Sequence, residues 1–127
     1  MRRTLILTVA VLACAVTLCV VAQAALNDAV DAALSIEQRA FAAADTGRLD
    51  DAVALAGSLD DLWRAKAHLL ELTVSHDALR DVAETIADAR IRLRYGDTDD
   101  FLCAMSAVET RLTRLRDEEA LRWENLY

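Results

Sequence analysis

The sequence predicts an all-α fold: an N-terminal transmembrane helix followed by two helical hairpins, arranged as a four-helix bundle or a short helical solenoid. Proline is absent and only 3 glycines occur in 127 residues, so the two strongest helix breakers are nearly missing. Apolar residues recur at spacings of three and four, and no segment alternates with the period of two that a half-buried strand needs. An all-β chain needs turn residues every ~8–12 positions, more than this sequence can supply. Helix over about three quarters of the chain is the expectation.

The first element is the apolar segment. Thr4 to Ala22 is a stretch of nineteen residues without a charge, and nineteen helical residues span roughly 29 Å, close to the hydrocarbon thickness of a bilayer. Thr8 and Thr17 are tolerated there because a hydroxyl can bond a carbonyl of its own helix. Arg2 and Arg3 precede the segment and should stay cytoplasmic, which puts the rest of the chain outside. Residues 1–25 therefore read as a membrane anchor and 26–127 as an extracytoplasmic helical domain. Two rival readings share the export. Ala22-Gln23-Ala24 is an A-x-A site followed by Ala25, the pattern of signal-peptide cleavage. Val11-Leu12-Ala13-Cys14 resembles a lipoprotein box, although Ala15 to Ala22 are as apolar as the residues before Cys14. Against cleavage, nineteen residues exceed a signal core of about 7–15, and helical patterning runs past the site without Pro, Gly or a polar linker.

The next helix is expected over Asn27 to Ala44, with Ala29, Ala33, Ile36, Ala40 and Ala43 as a narrow stripe flanked by Val30, Leu34 and Phe41. Thr46-Gly47 ends it, with Gly47 suited to the left-handed position after a helix. From about Leu49 to Ser75, Leu55, Leu62 and Leu69 form one stripe and Leu59, Trp63, Leu70 and Val74 a second. So wide an apolar arc predicts the most buried helix of the group. Ser75 and Asp77 are good N-caps for a break there, after which Leu79, Val82, Ala83, Ile86 and Leu93 share a face up to Tyr95-Gly96-Asp97. The last helix carries Phe101, Met105, Val108, Leu112 and Leu115 and is expected to extend towards Tyr127. Gly47-x-x-Asp50-Asp51 recurs as Gly96-x-x-Asp99-Asp100, a weak repeat in which glycine closes one helix and two aspartates open the next. Acids in a first helical turn lie against the positive end of the helix dipole, worth roughly 0.3–1 kcal/mol each, so the pairs have a structural explanation and do not read as an acid–base dyad.

Candidate chemistry is sparse. His68 and His76 are the only histidines; on one continuous helix they would stand roughly 12 Å apart, too far to share a metal. His68 with Glu71 supplies half a site. Asp97 to Asp100 lacks the alternating ligands, central glycine and distal glutamate of a calcium loop. Cys14 and Cys19 lie in the apolar segment, leaving Cys103 alone in the polar part, where it is expected to pack as a small buried hydrophobe. Trp63 is expected in the core and Trp123 nearer the surface. No residue is assigned a catalytic, cofactor-binding or metal-ligating role, and no cofactor is implied. The chain carries a net charge of −7, and beyond Arg3 the remaining 12 basic and 21 acidic residues leave −9 on the domain. That balance repels phosphate backbones and anionic lipid head groups, and it excludes nucleic acid as a partner.

Taken in order, several features resemble the domain of unknown function 4363, a family of small bacterial proteins with an N-terminal membrane helix and a charged helical exterior. They are Arg2-Arg3 and the uncharged helix after it, the turn and helix start at Gly47 to Ala52, Trp63, the run His76-Asp77-x-Leu79-x-Asp81-Val82, and the end Glu124-Asn125-Leu126. The resemblance implies a retained anchor; the family has no established activity, so it carries over no functional residue. The resulting expectation is a non-enzymatic, single-pass interaction module at the cell membrane, its N-terminus inside and its domain facing another membrane or envelope protein, with its oligomeric state open. The alternatives are an envelope protein that binds a small molecule or metal, and a secreted helical protein released after Ala24.

Overall fold

The computed structural model describes residues 1–125, the side chain of Trp123 excepted. Four helices account for about 90 % of the chain, and no strand occurs among the described residues. They are α1 (Arg2–Asp45), α2 (Leu49–Leu70), α3 (His76–Tyr95) and α4 (Thr98–Glu124). The helix content exceeds the sequence expectation because α1 runs unbroken through the junction at Ala25, and because the connections hold only three, five and two residues. The expected ends at Leu126 and Tyr127 lie outside the described residues.

Each turn has an identifiable cause. Gly47 sits at φ +81°, the left-handed conformation that only glycine adopts without a Cβ penalty, and the amide of Arg48 donates back to the carbonyl of Ala43 at 2.8 Å. Ser75 caps α3, its hydroxyl accepting from the amide of Ala78 at 3.2 Å. Asp97 plays the same part before α4, accepting from the amide of Asp100 at 2.8 Å. Gly96 also closes its helix, but in an extended conformation, and is required for another reason: a Cβ there would stand 2.8 Å from the carbonyl oxygen of Arg92. The two glycines of the repeat thus occupy equivalent places by different physics.

Packing decides between the bundle and the solenoid. α1 lies against α2 and α4, and α3 against α2 and α4, while the diagonal pairs make no close backbone approach among the described residues. The ring closes, which a linear stack of hairpins would not do. Its centre holds Leu26, Leu59, Trp63, Ile86, Phe101, Met105 and Leu112, each fully buried. Trp63 also satisfies its indole nitrogen, which donates to the carbonyl of Leu79 at 3.1 Å. Near the first turn the buried residues are small, Ala43 and Ala44 on α1 and Ala52 and Ala56 on α2, and small side chains allow two helices to approach closely.

Three details depart from the sequence reading. Cys103 is exposed, because Phe101, Ala104, Met105 and Val108 define the inward face of α4 and residue 103 lies about 200° round the helix from Phe101. Leu69 is 67 % exposed: it continues the edge stripe of Leu55 and Leu62, but at the last turn of α2 nothing remains beside it. The buried face of α1 is wider than expected: Ala29, Ala33, Ala40 and Ala43 are buried, Val30, Glu37 and Ala44 are buried beside them, and Ile36 only packs against the core.

The N-terminal half of α1 stands apart from this core. From Met1 to Val21 every residue is exposed except Cys19, and the first fully buried position is Leu26. The segment is long and apolar enough to cross a membrane, a property that a signal sequence shares. Thr8 and Thr17 each donate a hydroxyl to the carbonyl four residues back, both at 2.8 Å.

Candidate functional site

The residues with chemical potential are scattered. His68 and His76 are both exposed; the partner of Glu71 is His76, with Nδ1 at 3.4 Å from Oε1, across the α2–α3 turn. Asp50 and Asp51 open α2, and Asp99 and Asp100 open α4, on separate helices. Among the described residues no three His, Cys, Asp or Glu side chains group closely enough to hold a metal ion.

The site that stands out was not legible from any motif: a groove of about 370 Å³ between α2 and α3. α2 contributes Val53, Ala56, Asp60 and Arg64, and α3 contributes Ala87, Arg90, Ile91 and Arg94, with Tyr95 at its end. The α2 residues follow helical spacings of three and four and form a single stripe, whereas Leu93 joins the α3 residues and makes that bank wider. The small side chains of Ala56 and Ala87 leave the floor low. Asp60 anchors the wall. Its side chain is only 6 % exposed and its two oxygens are held by two guanidiniums: Arg90 Nη1 donates at 2.7 Å to Oδ2, while Arg64 donates through Nε at 3.2 Å to Oδ1.

Such charge-assisted bonds between planar groups fix orientation as well as contributing energy. One carboxylate among three guanidiniums leaves a local excess of positive charge, on a chain whose net charge is −7. Arg94 makes no ion pair among the described residues. Each guanidinium has five N–H donors, so Arg64 and Arg90 keep unused donors while holding Asp60. Val53, Ile91 and Tyr95 are exposed and supply an apolar bank beside those donors. The lining contains no Ser, Thr, Cys or His, and its one hydroxyl is the phenol of the exposed Tyr95.

Two further acids are buried, and neither belongs to the groove. Glu37 is 1 % exposed in the interior, and its Oε2 has no hydrogen-bond partner. Burial, with a smaller contribution from the charge of Glu109, raises its pKa from 4.5 to about 7. Glu119 is 7 % exposed, its nearest cation being Arg122 at 3.8 Å.

The chain matches no family model, no curated protein and no solved structure.

Proposed function

We propose that this chain is a non-enzymatic, single-pass membrane module. It holds its bundle on the outer side of the cytoplasmic membrane and uses the α2–α3 groove to grip an acidic, amphipathic segment of another membrane or envelope protein. The observation that carries the reading is α1, one helix from the apolar segment to the turn at Gly47. A rod with no hinge holds the groove at a fixed height, roughly 10–30 Å above the bilayer, where the exterior part of a partner in the same membrane is met at high effective concentration. Arg2 and Arg3 favour a cytoplasmic N-terminus. Carboxylates spaced along a partner helix fit the free donors of Arg64, Arg90 and Arg94, and its apolar residues fit Val53 and Ile91.

Retention of the anchor is favoured over cleavage after Ala24 because Ala22-Gln23-Ala24 is helical and Gln23 is half-buried, whereas a peptidase needs an extended strand. Mass spectrometry of the mature protein tests this: a chain starting at Met1 or Arg2 in the carbonate-resistant membrane fraction supports the anchor, and a soluble chain starting at Ala25 defeats it. For the groove, a photo-crosslinker at Ile91 should capture one envelope protein in native membranes, with capture lost in Arg94→Glu and at high salt. Capture indifferent to both would remove the groove from the mechanism. A second reading, a small amphipathic carboxylate in the same groove, is favoured by its volume, which falls within the roughly 300–1,000 Å³ of small-ligand sites.

A further inference from the structure

Three exposed leucines lie where the bundle ends and the apolar helix continues. Leu69 in the last turn of α2 is 67 % exposed, Leu72 in the α2–α3 connection 88 %, and Leu121 near the end of α4 57 %. None lines the groove, and none is covered by another part of the chain among the described residues.

Their height along α1 follows from two ion pairs. Lys66 of α2 meets Asp28 at 3.5 Å. α2 runs antiparallel to α1, so six residues further on Leu72 is about 9 Å nearer the N-terminus of α1, level with about residue 22. Arg116 of α4 meets Asp31 at 2.9 Å, which by the same rise puts Leu121 about 7–8 Å lower, level with about residue 26. α2 and α4 are the two helices packed against α1, so these leucines flank it on both sides. The uncharged stretch that begins at Thr4 reaches a bilayer's hydrocarbon thickness of roughly 30 Å at about Ala22, the level of Leu72, with Leu69 and Leu121 about 5–6 Å higher, within the head-group layer.

We infer that this end of the bundle is seated in the membrane interface, with Leu69, Leu72 and Leu121 inserted among the lipid head groups on either side of α1. The inference rests on the anchor reading, since it takes the level of the bilayer from the apolar segment. The occupant is a lipid surface, because the leucines continue the exposed apolar surface of α1 at the depth where that segment must leave the bilayer. The charges beside Leu72 suit head-group depth: Glu71 and His76 pair with each other at the same turn. Seating fixes the tilt of the bundle, so α1 enters the membrane braced on two sides.

Spin labels on the full chain, reconstituted in phosphatidylcholine vesicles, test the idea. With the other native cysteines replaced by alanine, single labels are placed at Leu72→Cys, at Val11→Cys in the apolar segment, and at native Cys103 near the far end. Leu72 is so exposed that its replacement leaves the core intact. Power saturation with oxygen and with a water-soluble nickel chelate reads the depth of each label. The expected order is Val11 deepest, Leu72 at head-group depth with an oxygen-to-nickel ratio several-fold above that of Cys103, and Cys103 aqueous. If Val11 reads lipid while Leu72 reads like Cys103, the seating is wrong and the anchor stands. An aqueous Val11 overturns both. Spin–spin broadening between Leu72 labels at high dilution in lipid, with no lipid exposure, would mean that a second copy covers the leucines, and would also overturn the seating.

Discussion

Glu37 makes the stability of the bundle fall as pH rises. Its carboxyl is buried in the ring, one oxygen without a partner, so ionisation must occur in a place that cannot solvate the charge. The folded pKa is raised from 4.5 to about 7, while the unfolded chain titrates near the ordinary value. Between those values the folded state holds a proton that the unfolded state has released, so unfolding is increasingly favoured with increasing pH. The stabilising contribution is complete below about pH 4.5 and gone once the pH has passed about 7. A difference of about two and a half pKa steps corresponds to about 3 kcal/mol, or roughly 10–15 °C in melting temperature for a domain of this size.

Glu37→Gln removes the titration. The amide brings a donor that also lacks a partner, a cost on the order of 1–3 kcal/mol that does not vary with pH, so the decisive quantity is how the difference between the two proteins changes. Thermal unfolding of the full chain in micelles, followed by circular dichroism, should show Glu37→Gln gaining on the parent by about 3 kcal/mol between about pH 4.5 and 8. Exposed histidines and general charge repulsion are common to both proteins and cancel. A difference that stays constant, or that moves the other way, refutes the reasoning.

Trp63→Ala should be among the most damaging changes, costing about 3–5 kcal/mol, whereas Trp63→Phe, which loses the indole bond to the Leu79 carbonyl and part of the ring's packing, should cost about 1–3 kcal/mol; denaturant titration separates them. Arg90→Ala leaves the buried Asp60 with only Arg64, itself 72 % exposed, and should destabilise by about 1–3 kcal/mol; Asp60→Ala strands no buried charge and should cost less, and the reverse order would mean that Asp60 is not the anchored partner. Gly47→Ala should cost about 1–2 kcal/mol through its left-handed backbone alone, since nothing lies within 4 Å of the added Cβ; a neutral result by the same titration would mean that the turn rearranges.

Periodicity made the four helices legible, together with the breaks at Gly47, Ser75 and Gly96, because each rests on local chemistry. The closed ring was not legible: whether α4 returns to α1 depends on crossing angles that no local spacing encodes, and the repeat was equally compatible with a stack. On α1 the alanine stripe was legible, since Ala29, Ala33, Ala40 and Ala43 are all buried, but its width was not, because nothing in the spacing says that Glu37 is buried beside them. The groove escaped for a related reason. Asp60 and Arg64 look like an ordinary surface pair four residues apart, and nothing in the sequence says that Arg90, thirty residues on, reaches the same carboxylate.

The seam between α1 and α4 has a consequence for biogenesis. Its contact between Asp31 and Arg116 joins residues 85 apart, whereas every other seam joins neighbours in the chain. As the polypeptide emerges, the first three helices can pair in sequence, but the side of α1 next to Asp31 lacks its α4 cover until the final helix has been made. A translation arrest or nonsense codon before Thr98 would therefore yield a three-helix intermediate with an open apolar trough along α1 and α3. Such a species recruits chaperones and proteases, so quality control of this small protein falls on its last helix.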